Sequence, residues 1–323
     1  MDRRNFLALG GAAALGGARA LRAHETGYPH EHLPDGTVVP LPGPAGNVIK
    51  RRIPSSGESI PAVGLGTSGP FEVGADPEAR KPLEQVLAAF FDSGATLIDT
   101  SPMYSTAESV LGDLLTPAEQ SKAFIATKVW TPNSGGHGEQ KGIEQMLRSM
   151  SLLKRQRVEL MQVHNLVDLE PHLKTLRRWK EEGRIKYIGV THYTTSSYPD
   201  LIRVVEREKP DFLQFNYSVT TREAEKRLLP LCADKGVAVI VNRAFEDGDL
   251  FTRVKGKELP AWAGEFGAKS WAQVFLKFVL ANPAVTCVIP ATGKVKNLID
   301  NIGAAFGPLP NAKHRAEIVK TFS

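Results

Sequence analysis

From residue 48 onward, short β-branched runs alternate with stretches whose apolar residues return every three or four positions. The runs at 60–67, 96–100, 123–129, 159–165, 185–191, 212–217, 238–243 and 286–290 predict eight strands. Between them lie helices such as 142–154, in which Ile143, Met146, Leu147 and Met150 form one face expected to be buried. Gly183 and Gly236 stand where a left-handed helix cap belongs. Thr221 reads as a helix start, and Pro230 predicts a kink in that helix. Residues 48–54 and 58–63 flank Ser55-Ser56-Gly57 and predict a hairpin.

Eight strand–helix units in one unbroken alternation have the rhythm of an α/β chain closed as a (β/α)8 TIM barrel. A doubly wound open sheet would want G-x-G-x-x-G after its first strand. Here Gly64-Leu65-Gly66-Thr67 leads into Ser68-Gly69-Pro70 instead. The expectation is one barrel over residues 48–323, opened by a short N-terminal hairpin.

Composition narrows the classes. With 42% hydrophobic and 23% charged residues, the 323-residue chain is not collagen-like, coiled-coil or wholly disordered. The net charge is +5, and Arg3, Arg4, Arg19 and Arg22 against Asp2 put three of those charges in the first 23 residues. The near-neutral body argues against nucleic-acid binding. Two cysteines, Cys232 and Cys287, exclude a disulfide framework and a Cys-rich metal site, and both read as packing residues.

Residues 1–23 read as a removable export signal with a basic start, an apolar stretch at 6–18 and Ala18-Arg19-Ala20 as the cleavage site. That stretch is too short to span a bilayer of about 30 Å as a helix, so no stable membrane insertion of the mature chain is expected. Arg3-Arg4-Asn5-Phe6-Leu7 resembles the twin-arginine signal; a general secretory leader is the alternative. Gly10, Gly11, Gly16 and Gly17 dilute the apolar core and Arg19 charges its end, which favours the twin-arginine reading. That reading implies the twin-arginine translocation machinery as a partner and a periplasmic or otherwise exported protein. Residues 24–47, with Pro34, Pro40, Pro42 and Pro44, suit an extended tether. His24, His30 and His32 within it read as solvated histidines rather than metal ligands.

In such a barrel, function gathers at the C-terminal ends of the strands. Asp99 ends the second predicted strand and Tyr104 follows it closely. Lys128 lies near the end of the third, and His164 near the end of the fourth. Taken singly, these read as a helix cap, a surface aromatic, an ion-pair lysine and a core histidine. Taken jointly, they form a convergent polar cluster in which Lys128 pairs with Asp99.

The stretches IPAVGLGTS, FDSGATLIDTSPMYSTAESVLGDLL, FIATKVW and ELMQVHN resemble the aldo-keto reductase family, whose tetrad is Asp, Tyr, Lys and His. The likeness runs from about residue 49 to 306. It implies reduction of a small carbonyl substrate with NADP(H), NAD(H) remaining open, and no Rossmann domain. Tyr104 would donate the proton; its phenol, ordinarily near pKa ~10, would be made more acidic by Lys128. Asp99 would hold Lys128, His164 would orient the carbonyl oxygen, and Trp130 would wall the substrate or simply pack.

For the cofactor, the resemblance implies close approach at Gly66 and Thr67, further contacts from Asp99, and a carboxamide contact from Gln214. Thr191-His192 replaces the family's Ser-Asn, keeping the hydroxyl and losing the amide. Asn242-Arg243-Ala244-Phe245 replaces Tyr-Ser-Pro-Leu, so the aromatic that stacks on nicotinamide is missing. Arg243 would instead reach the pyrophosphate, with Phe245 as apolar cover. Lys294 would meet a 2′-phosphate, although Asn297 stands at the usual later Arg, and Asp300-Asn301 matches the pair at the adenine. Residues 246–269 are expected to fold over the cofactor and 132–139 to border the substrate mouth. Two rivals stand beside catalysis: a nicotinamide-holding regulatory protein, and an acid–base site without redox chemistry.

Overall fold

The computed structural model describes residues 30–32, 38–40, 47–132 and 134–322. The expected export signal lies outside the described residues. Within the expected tether, His30–His32 pairs antiparallel with Val38–Pro40.

Eight parallel strands form one curled sheet in chain order. They are β1 (Leu65–Gly66), β2 (Leu97–Asp99), β3 (Phe124–Val129), β4 (Val158–His164), β5 (Ile185–Thr191), β6 (Phe212–Asn216), β7 (Ala238–Asn242) and β8 (Val285–Val288). The sheet closes between β8 and β1. The Gly64 N–H donates to the Val288 carbonyl at 2.8 Å, the Val288 N–H to Ala62 at 2.9 Å, and the Gly66 N–H to Pro290 at 3.1 Å. Gly66 makes this seam possible, since a Cβ there would lie 2.7 Å from the Ile289 carbonyl oxygen; at Gly64 a Cβ would lie 2.6 Å from the Leu97 carbonyl oxygen of β2.

The helices are α1 (Pro77–Asp92), α2 (Ala107–Leu114), α3 (Pro117–Lys122), α4 (Gly138–Leu152), α5 (Leu169–Glu181), α6 (Tyr198–Glu208), α7 (Leu228–Lys235), α8 (Asp249–Arg253), α9 (Trp271–Leu280), α10 (Val295–Gly303) and α11 (Ala312–Lys320). Gly183, just past α5, and Gly236, which caps α7, both have positive φ. Among the described residues no helix is long and apolar enough to cross a membrane.

Three predicted elements differ from those found. The helix expected at 142–154 spans Gly138–Leu152, and of its predicted buried face Met146 and Met150 are buried while Leu147 is 45% exposed, because it lies on the edge of the apolar stripe. Residues 60–67 are not one strand. Ser59–Pro61 pairs antiparallel with Lys50–Arg52 in the predicted hairpin, and the chain then passes into the barrel wall at β1. Nor is there one kinked helix after Thr221. A 3-10 turn at Glu223–Glu225 precedes α7, and Pro230 falls in the first turn of α7, where its missing N–H has no helical partner to lose.

The strands are buried on both faces, so their sequence shows little alternation, yet the pleat still sorts them. One alternate set, Leu97, Phe124, Ala126, Leu160, Tyr187, Phe212, Ala238 and Ile240, packs with Ile53 and Ile60 of the hairpin as the barrel interior. Continued towards the strand ends, that set becomes Asp99, Lys128, Gln162, His164, Thr191, Gln214 and Asn242. The interior is therefore apolar at the hairpin end and polar at the opposite mouth. Cys232 and Cys287 are buried free thiols, and burial pushes Cys232 up to about 12 and Cys287 up as well.

Candidate active site

Strand register decides which side chains meet. Asp99 lies beside Ala126, so Lys128, two residues further on, reaches back over it; Lys128 in turn aligns with Gln162, and His164 with Thr191. The Lys128 Nζ lies 2.7 Å from Asp99 Oδ2, and both residues are at most 2% exposed. A buried pair of this kind is tolerated only where its remaining hydrogen-bonding capacity is met. Lys128 also donates to the Thr100 carbonyl at 2.7 Å. Asp99 Oδ1 accepts from Gln162 Nε2 at 3.3 Å and Gln214 Nε2 at 3.1 Å. Burial works against the Lys128 charge, but Asp99 and Tyr104 outweigh it and hold its pKa above the ordinary lysine value.

Tyr104 is anchored by its N–H, which donates to the Ser101 carbonyl at 3.0 Å. The Lys128 Nζ stands 4.9 Å from the phenol ring centre. Here the structure corrects the sequence-based expectation of a more acidic phenol. Burial raises the Tyr104 pKa, and the opposing pull of Lys128 is too small to reverse it. The physical reason is that a phenolate would be desolvated beside an ammonium already engaged by Asp99. Tyr104 is therefore a protonated donor at neutral pH.

His164 meets the Tyr104 ring edge to face, with centroids 6.2 Å apart at 90°. Its Nδ1 is 3.1 Å from Ser101 Oγ. Burial, with Lys128 next, lowers its pKa to about 2. This imidazole is neutral.

These groups stand at a cavity of about 660 Å³ lined by Asp99, Tyr104, His164, Asn165 and Thr191. Gly66, Thr67 and residues 289–291 form one side; Tyr193, residues 242–245 and Phe251 form another. Thr67 donates both its N–H and its hydroxyl to the Asp99 carbonyl, at 3.1 and 3.0 Å. Gly66, which lines the cavity, is required by barrel closure.

The strand-five and strand-seven departures have clear structural outcomes. His192 turns into its own loop, where Nδ1 accepts the Tyr193 N–H at 2.9 Å and Nε2 lies 3.0 Å from Ser197 Oγ. It does not line the cavity. Arg243, at φ 52°, pairs with Asp247 and donates to the Tyr193 carbonyl at 3.3 Å. It thereby bridges two loops that both line the cavity. Phe245 packs against Phe251, 4.9 Å between centroids, and closes that side with apolar surface. Of residues 246–269, only Asp247, Gly248 and Phe251 reach the cavity.

Five sequence-predicted residues are not part of the cavity wall. Lys128 and Gln214 lie beneath it, each 1% exposed. Lys294 is exposed at the start of α10, and Asn301 is buried within that helix. Trp130 stands past the end of β3, its N–H held by Gln145 of α4 at 3.1 Å, away from the lining. The cavity wall is formed by other residues. Ser101, Asn165, Gln162 and Tyr193 were missed from sequence; the strand-end rule that selects His164 applies equally to Asn165.

The model of the Aldo/keto reductase family matches residues 62–316. Methylglyoxal reductase YeaE of Escherichia coli (strain K12) is 30% identical over 258 residues, covering 78% of this chain and 88% of that protein. An aldo-keto reductase of Klebsiella pneumoniae in complex with NADPH shares the fold with a TM-score of 0.69 at 22% identity, covering 84% of this chain and 95% of that one. The holo form of aldo-keto reductase AKR11C1 from Bacillus halodurans gives 0.68 at 21% identity, covering 85% and 96%. Because the family match runs from the barrel seam into α11, across every strand that carries a residue of the cluster, the chain belongs to the aldo/keto reductase family.

Proposed function

We propose that this protein reduces a small aldehyde or ketone with NADP(H), NAD(H) being the alternative, and does so outside the cytoplasm. The observation that carries the reading is the Asp99–Lys128 ion pair set beneath Tyr104, with neutral His164 beside it, at one cavity. When bound, the nicotinamide supplies hydride to the carbonyl carbon. Tyr104 Oη gives its proton to the carbonyl oxygen, which becomes the alcohol hydroxyl. Lys128 stabilises the phenolate left behind, and Asp99 keeps Lys128 charged and in place. His164 donates to the same oxygen and sets its direction.

The residues present suit a nicotinamide nucleotide. Gln214 Oε1, Asn165 Oδ1 and Asn242 Oδ1 are buried acceptors without a hydrogen-bond partner among the described residues. A carboxamide NH2 and ribose hydroxyls are donors of the kind such acceptors lack. Arg243 would take the pyrophosphate and Lys294 a 2′-phosphate, with Gly66, Thr67, Asp99, Thr191 and Asn301 along the same binding track. The Klebsiella pneumoniae relative in complex with NADPH and the Escherichia coli methylglyoxal reductase support this cofactor and a small carbonyl substrate. The twin-arginine-like Arg3-Arg4 start supports export of residues 24–323 by that machinery, already folded.

The test is NADPH consumption, followed by absorbance, across a panel of small aldehydes and ketones. Tyr104→Phe should lower reduction ~10²–10⁴-fold while NADPH binding, read by fluorescence, stays unchanged. NADPH binding without consumption on any carbonyl would instead select the nicotinamide-holding regulatory protein.

A further inference from the structure

One residue ties two of the site's side chains together. Ser101 follows Asp99-Thr100 at the end of β2 and is fully buried. Pro102 after it restricts Ser101 to extended backbone, which starts the tight turn towards Tyr104. The Ser101 carbonyl accepts the Tyr104 N–H. Its hydroxyl oxygen accepts the Met103 N–H at 3.1 Å and lies 3.1 Å from His164 Nδ1.

The shared proton between Oγ and Nδ1 has two possible homes. If Nδ1 carries it, the Ser101 hydroxyl proton is left without an acceptor, since no other lies within bonding distance among the described residues. A buried donor left unmade is destabilising. If the hydroxyl donates to Nδ1, every polar atom of Ser101 is satisfied. A neutral imidazole has one donor nitrogen and one acceptor, so the second arrangement leaves the proton on Nε2. That nitrogen has no protein partner among the described residues, and His164 lines the cavity.

We propose that Ser101 is a positioning residue that holds His164 as the Nε2–H tautomer, so that this N–H and the Tyr104 hydroxyl together meet the substrate carbonyl oxygen. The inference rests on the carbonyl-reducing reading above. In the other tautomer Nε2 would face the carbonyl oxygen lone pair to lone pair, and only Tyr104 would donate. The same turn sets both donors: the Ser101 backbone places Tyr104, and its side chain selects the imidazole proton.

The experiment reads the tautomer directly, without substrate. Full-length protein labelled with 15N-histidine is followed by long-range proton–nitrogen correlation, and the His164 ring is assigned by its loss in His164→Gln. The wild type should show Nε2–H as the major tautomer, and Ser101→Ala should show a larger share of Nδ1–H. One neutral hydrogen bond biases such an equilibrium by roughly 2- to 12-fold. kcat in Ser101→Ala should fall in proportion to the lost Nε2–H fraction, by at most about sixfold, with the NADPH dissociation constant unchanged. Ser101→Thr, which keeps a hydroxyl, should restore both the tautomer and kcat. Nδ1–H as the major form in the wild type, or an unchanged tautomer ratio in Ser101→Ala, would overturn the proposal. Because the spectrum needs no turnover, its failure is distinct from a failure to reduce carbonyls.

Discussion

Replacing Asp99 by Asn tests the electrostatic centre of the site. Asn has nearly the same shape, so packing is preserved. Hydrogen bonding can also recover: the Gln162 and Gln214 carbonyl oxygens have no partner, and rotating those amides offers acceptors to an Asn NH2. What cannot recover is the counter-charge 2.7 Å from Lys128. Leaving one member of a buried pair uncompensated costs about 3–5 kcal/mol. For a domain of this size that lowers Tm by roughly 6–20 °C.

The pH dependence gives a second, sharper signature. In the wild type the Lys128 pKa is raised above the ordinary value. Its contribution is therefore complete below the unfolded pKa of ~10.4 and is lost only as pH rises through the folded value. In Asp99→Asn burial acts without Asp99, and the folded pKa drops below the unfolded one. The unfolded state then binds more protons, so stability rises with pH. Calorimetric Tm values from about pH 7 to 10 should show the gap between wild type and variant narrowing. Adding Lys128→Met to Asp99→Asn should recover much of the loss, because an apolar replacement of a buried pair is often neutral. A small gap that stays constant with pH would refute the reasoning.

Three further outcomes follow from the same geometry. With His164 lowered to about 2, the imidazole does not titrate at working pH, so kcat should show no inflection near pH 6.5; an inflection abolished by His164→Gln would contradict this. Lys294→Ala should weaken NADPH far more than NADH, and Arg243→Ala should weaken both alike, each lost charged contact being worth about 1.5–3 kcal/mol; equal losses in the Lys294 variant, by titration, would displace the 2′-phosphate from α10. Replacing Arg3 and Arg4 by Lys keeps the leader's charge and should trap precursor in the cytoplasm; normal processing in a fractionation assay would exclude the twin-arginine route.

The convergence of Asp99, Tyr104, Lys128 and His164 was legible in the strand ends, while their roles as a tetrad came from the family resemblance. Asp99, Lys128 and His164 are each separated by whole numbers of pleats from apolar interior residues, and Tyr104 follows β2 closely. His192 shows what was not legible. Its neighbour Thr191 lies on the inward-facing register, so the pleat turns His192 away from the interior, but its partners Tyr193 and Ser197 are supplied only by the loop geometry. Trp130 makes the same point: beyond the strand end the pleat no longer dictates direction.

By itself, then, the sequence determined the order of strands and helices and the inward set on each strand, since backbone periodicity is a local property. Tertiary structure alone decided the seam between β8 and β1, where the distant Ile289 carbonyl excludes any Cβ at Gly66. It also decided the charge states. Whether Lys128 makes Tyr104 more acidic depends on how much water the phenol loses and how fully Asp99 engages the ammonium, and both are set only when three strands close over the pair.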